Sequence, residues 1–108
     1  MDSKEFNEEE YSELLMGLIV NGGDARSAAM EAIKAAKNGN FEEAEELLRN
    51  CSKALTEAHN TQTSLIQAEI NGEHIPIMLM MVHAQDHLMD AMVVRDLAEE
   101  IVDLYKRM

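Results

Sequence analysis

Tryptophan is absent, only Phe6, Phe41, Tyr11 and Tyr105 carry aromatic rings, and the 108 residues include one proline, Pro76, and one cysteine, Cys51. With so few rings the core has to be built from Met, Ala and Leu, flexible aliphatics that suit helices. Strands are not expected. A lone thiol excludes an intramolecular disulfide, and the N-terminus lacks the basic-then-apolar layout of a signal peptide, so a cytoplasmic location is expected. The longest apolar run, Ile75 to Val82, is far short of the roughly 20 residues that span a bilayer, so any part in membrane transport is played from solution. Basic residues are scarce too: nine Lys and Arg stand against 21 Asp and Glu, a net charge of −12. That excludes nucleic acid, whose phosphates would be repelled, and favours basic partners or cations.

What is present fits one all-α domain over residues 1–108, with an acidic arm at 1–7 expected to be mobile. Asn7 and Glu10 form a capping-box pattern, and Tyr11, Leu14, Leu15, Leu18 and Ile19 follow on one helical face, so a helix starts near residue 8. Gly22-Gly23 predicts a kink, with Asp24 re-capping the next turn and an alanine-rich stripe continuing to Ala36. Asn38-Gly39-Asn40 stops this helix, Gly39 as a left-handed cap and Asn40 with Glu43 as a second capping box. A second helix carries a heptad seam of Phe41, Ala44, Leu48, Cys51, Leu55, Ala58, Gln62 and Leu65, which makes Cys51 a buried apolar group rather than a reactive thiol. Asn71-Gly72 marks the next turn, and Pro76 is placed in the first turn of a third helix running to about Lys106. Three helices of about 30 residues, each roughly 45 Å long and joined by short loops, pack antiparallel. So small a bundle leaves much of each helix uncovered, which favours oligomerisation.

Heptad spacing down the third helix gives Leu79, His83, Asp86, Asp90, Val93, Leu97 and Leu104, an apolar stripe interrupted by an imidazole and two carboxylates. On a buried seam those groups cost several kcal/mol unless they pair, bind a cation or face a wet pocket. Three readings compete. The plainest is a surface face with local pairing. The second is a metal site, since His83 and His87 are four apart, but the string has Asp86 where the inverted zinc-protease motif has Glu, and no third ligand follows. The third makes one histidine a phosphoryl acceptor, because neutral imidazole is nucleophilic and its phosphoramidate is labile, while Gln85 and His87 supply hydrogen-bond donors.

The string Met81-Val82-His83-Ala84-Gln85-Asp86-His87-Leu88-Met89 closely resembles the signature of the lactose/cellobiose-type enzyme IIA of bacterial phosphoenolpyruvate-dependent sugar phosphotransferase systems. Met16 to Gly23 with Ala25-Arg26-Ser27, and Glu57 to Thr63, agree with it, so the likeness runs from about Tyr11 to Tyr105. The resemblance implies that His83 carries the phosphate and that Asp86 meets its two symmetry mates around Mg2+ at the axis of a homotrimeric nine-helix bundle, beside the supporting donors read above in Gln85 and His87. It implies the histidine phosphocarrier protein as donor and a cysteine of the cognate enzyme IIB as acceptor. The membrane is then reached only indirectly, through enzyme IIC, during uptake of lactose, cellobiose, chitobiose or a related β-glycoside. The family commonly has Thr where this chain has Asp90, so either three further carboxylates stand near the axis and bind cations more strongly there or Asp90 turns aside. An enzyme IIA never touches sugar, so its sequence does not name the sugar.

The rival from another class is a non-enzymatic helical adaptor, in which His83 and Asp86 only pair with each other. His59, near Gln62, reads as a hydrogen-bonded, half-buried histidine, with orientation of the active region as its functional alternative. His74 reads as an exposed loop residue. Met78, Met80, Met81, Met89 and Met92 read as core filler, with any exposed members available as an adaptable docking patch.

Overall fold

In the computed structural model, which describes residues 7–108, Asn7 Oδ1 accepts a hydrogen bond from the Glu10 backbone N–H at 3.1 Å. That satisfies one of the orphan donors of a helix start, and α1 (Glu8–Lys37) begins there, with acidic residues in its first turn and Lys34 and Lys37 in its last. The mobility expected of the arm concerns residues 1–6, which lie outside the described residues; Asn7 itself is the cap.

α1 runs through Gly22-Gly23 without a break, so Asp24 caps nothing. The reason lies opposite: a Cβ on Gly22 would stand 3.1 Å from the backbone carbonyl carbon and oxygen of His87. Gly22 is therefore a point of close approach to the third helix, and packing outweighs the roughly 1 kcal/mol that a helical glycine costs.

Gly39 adopts φ +82°, and the Gly39 N–H to Ala36 C=O and Asn40 N–H to Ala35 C=O bonds close a Schellman end on α1. Gly72 repeats that closure on α2 (Phe41–Ile70), with the Glu73 N–H bonded to the Ala68 carbonyl. The second capping box does not form, because the Asn40 side chain makes no cap hydrogen bond. Asn40 closes α1 and opens α2 at once, and its backbone (φ −90°, ψ 71°) follows the first task.

α3 (Leu79–Lys106) starts three residues beyond Pro76, not at it. The Tyr11 hydroxyl donates to the Pro76 carbonyl at 2.7 Å and Ile75 is buried, so this stretch is pinned to α1 and reaches Met78 in extended form. No strand occurs among the described residues, and no helix there is long and apolar enough to cross a membrane.

The core follows the seams. α1 turns in Tyr11, Leu15, Leu18 and an alanine stripe, and α2 turns in Ala44, Leu48, Cys51, Leu55, Ala58 and Leu65, leaving Phe41 and Gln62 partly exposed. α3 turns in Ala84, Leu88, Ala91, Ala98 and Val102. Small side chains on both α1 and α3 let those backbones pack closely, whereas α2 and α3 touch more sparingly. The expected seam of α3 is therefore on the wrong side for this core: Leu79 is 84%, Val93 56%, Leu97 57% and Leu104 61% exposed. α3 is apolar on two faces, and the alanine-rich one fits against α1.

Cys51 is wholly buried, and burial raises its thiol pKa, opposed by the Arg95 guanidinium and reinforced by Glu99. An inert thiol follows. A thiol reagent at pH 8 is expected to leave Cys51 unmodified in the folded protein and to react within minutes in denaturant; rapid native labelling would show the α2 seam to be open.

Candidate functional site

His83 and His87 lie one turn apart on α3, and their Nε2 atoms are 3.1 Å from each other, with ring centroids 4.4 Å apart and planes at 85°. At that distance one ring must donate an N–H to the lone pair of the other. Between them Ala84, and beyond them Leu88, are completely buried, so the helix presenting the pair is anchored on both sides. Gly22 seats the backbone of His87 against α1, while His83 is exposed to solvent and His87 partly so. Such a pair offers a nucleophilic nitrogen at the surface with a hydrogen-bond donor fixed beside it.

The remaining candidates are distributed around α3. Asp86 and Asp90 are exposed on the outer stripe with Leu79, Val93 and Leu97. Gln85 is two residues from His83, about 200° of helical rotation, so it points to the other side of α3. There its Oε1 accepts a hydrogen bond from Gln62 Nε2 of α2. Gln85 therefore does not meet His83 of its own chain. His59 is exposed rather than half-buried, lining a cavity of about 240 Å³ with Leu55, Thr56, Met92 and Arg95, and His74 is exposed on its loop. Among the methionines, Met78 and Met89 are exposed, whereas Met80, Met81 and Met92 pack partly against the core.

The sequence named Gln62 and Gly22 without showing what they touch: Gln62, a polar member of an apolar seam, bonds Gln85, and Gly22, read as a helix breaker, seats the backbone of His87. Among the described residues of one chain, no three His, Cys, Asp or Glu side chains converge on a point that could hold a metal ion.

Residues 13–106 match the family model of the PTS system lactose/cellobiose-specific IIA subunit. The lichenan-specific phosphotransferase enzyme IIA component of Bacillus subtilis is 50% identical over 99 residues, covering 92% of this chain and 90% of that protein. A crystal structure of the PTS cellobiose-specific enzyme IIA from Bacillus anthracis superposes with a TM-score of 0.87 at 46% identity, covering 95% of this chain and 93% of that one. The enzyme IIA of a solution complex of IIA(chitobiose) with HPr from Escherichia coli superposes with a TM-score of 0.78 at 42% identity, covering 89% and 93%. With residues 13–106 matched by the family model and 92% of its length covered by a relative 50% identical to it, the chain belongs to the lactose/cellobiose-specific IIA subunit family of the phosphotransferase system.

Proposed function

We propose that this protein relays a phosphoryl group on His83, from the histidine phosphocarrier protein HPr to a cysteine of a cognate enzyme IIB. The observation that carries this is the exposed side chain of His83, its Nε2 held 3.1 Å from Nε2 of His87. With His87 as donor, His83 Nε2 carries no proton; that hydrogen bond is released as the same lone pair attacks phosphorus in line, and the phosphorus–nitrogen bond to the donor histidine breaks as the new one forms. The His87 N–H is then beside a phosphoryl oxygen. The sugar is lactose, cellobiose, chitobiose or a related β-glycoside, transported by an enzyme IIC, and the relay works in the cytoplasm.

A homotrimer is the expected working state, since it would cover Leu79, Val93, Leu97 and Leu104. Asp86 shares their stripe and supplies hard carboxylate oxygen, the donor that Mg2+ takes. One chain offers no three-ligand cluster among its described residues, so the donor set fits the ion only when three copies contribute. Mg2+ bound by Asp86 of three copies would offset the repulsion between their carboxylates.

Incubation with the phosphocarrier system and labelled phosphoenolpyruvate tests the relay. One acid-labile phosphate per chain is expected, and absence of label would leave a helical adaptor as the better reading. The net charge of −12 also favours a basic docking face on the donor. Transfer under subsaturating conditions is accordingly expected to slow about tenfold between 0.05 and 0.5 M salt, through the association rate. A flat salt profile would assign recognition to apolar side chains such as Met89 and Val82, each about half exposed.

A further inference from the structure

We propose that Tyr11 is a positioning residue for the relay: its hydroxyl latches the otherwise uncapped start of α3 and so holds His83 in place. Asn7 caps α1 through its side chain, with Glu8, Glu9 and Glu10 in that helix's first turn, and α2 opens with Glu42 and Glu43. Both devices answer the bare N–H groups of a helix start. α3 opens without either, since Met78 at its N-cap makes no side-chain hydrogen bond and the first turn has no acidic residue. Burial gives little help there: Leu79 is 84% exposed, Val82 and His83 are exposed, and the first wholly buried residue of α3 is Ala84. The helix begins with the Val82 N–H to Met78 C=O bond of 3.1 Å, and the His83 N–H takes the next place in the ladder. The nucleophile therefore stands on a turn that frays easily.

What holds this start comes from α1. Tyr11, 3% exposed, donates to the Pro76 carbonyl at 2.7 Å, two residues ahead of the N-cap. Burial, reinforced by the Glu69 carboxylate, raises the Tyr11 pKa, so the hydroxyl keeps its proton at neutral pH. Buried Ile75 anchors the same stretch, and Met80 and Met81 pack partly against the core. His87 has a seat of its own against Gly22, between buried Ala84 and Leu88, so it stays when the first turn opens. His83 leaves, and the 3.1 Å approach of the two Nε2 atoms is lost with it. The inference rests on the relay reading, because the placing of His83 bears on transfer only if His83 takes the phosphate.

Tyr11→Phe removes the hydroxyl and keeps the buried ring, so the protein should fold. Amide hydrogen exchange at Val82 and His83 is expected to quicken about tenfold, the effect of losing one hydrogen bond to a part-buried acceptor, while amides of the α2 seam such as that of Leu55 keep their protection. With the unlatched turn then near balance between formed and open, single-turnover transfer from phosphorylated HPr should slow about threefold. Met78→Ser supplies the missing cap from within the helix, since Met78 already has an extended backbone (φ −129°, ψ 164°) and a serine there can accept from an N–H two or three residues on. Added to Tyr11→Phe, it is expected to restore both the protection of Val82 and His83 and the rate of transfer. Exchange that quickens equally in α2 would reduce the bond to a part of global stability and overturn the positioning role. Exchange or transfer unchanged in Tyr11→Phe, or not restored by Met78→Ser, would overturn it as well. Should wild type take no label from HPr at all, the relay reading fails, and exchange at Val82 and His83 still judges the hold of Tyr11 on α3.

Discussion

His83→Ala is expected to take no label from phosphorylated HPr while folding as the wild type does. The substitution removes the attacking nitrogen itself, so the loss is not graded, and transfer should fall by at least about 10³-fold, to the level of background. Stability should be spared, because His83 is exposed and its change to alanine on a helix surface costs within about 0.5 kcal/mol. His87→Ala separates chemistry from support. It removes the N–H that stands 3.1 Å from His83 Nε2 but leaves the nucleophile, so label is expected to accumulate about 10- to 100-fold more slowly and to reach the same final stoichiometry. Intact mass before and after acid treatment reads both variants. His59 and His74 are exposed as well, so label retained in His83→Ala would point to one of them or to His87 and end the assignment.

How far the sequence could be read depended on whether a signal was satisfied within the chain. The Asn7 cap, the Gly39 turn and the α2 seam were legible because each closes on neighbours a few residues away or on a face buried by the same subunit. Pro76 misled because a long-range bond, from Tyr11 to its carbonyl 65 residues later, holds the stretch before α3 extended. The third helix misled more instructively. Its heptad stripe has the larger side chains, Leu79, Val93, Leu97 and Leu104, so by hydrophobicity it looks like the inner face. The face that is buried is the one with Ala84, Ala91 and Ala98, whose small side chains permit the close approach seen between Gly22 of α1 and His87. Periodicity reports that a face is apolar, but not which chain covers it. For the same reason His83 and His87 were legible as an i, i+4 pair, whereas the link from Gln62 to Gln85 spans two helices and leaves no local trace.

The outer stripe of α3 supports the second large effect. Leu97 is 57% exposed in the single chain and stands among Val93, Leu104 and, farther along, Asp86. If three copies bury this stripe against each other, Leu97→Asp forfeits about 1.5–3 kcal/mol of burial per chain and sets three charges together, a loss of at least about 5 kcal/mol per trimer. Sedimentation should then show monomers at concentrations where the wild type is fully assembled. Asp86→Leu should do the opposite. Three carboxylates facing one axis repel one another unless a cation lies between them, and leucine removes both the repulsion and the ligands, which is often neutral or stabilising for a buried charge. The mutant is therefore expected to assemble at least as well as wild type and to melt at the same temperature with or without chelator, whereas chelator should lower the melting temperature of the wild type by several degrees, about 1–2 kcal/mol for a domain of this size. Phosphorylation of Asp86→Leu should suffer less than that of His83→Ala if, as proposed, Asp86 serves assembly and His83 meets the reacting phosphorus. An equal chelator effect on wild type and Asp86→Leu would place the cation elsewhere, and a wild type that sediments as a stable monomer with magnesium present would leave Leu79, Val93, Leu97 and Leu104 to be covered by a different partner.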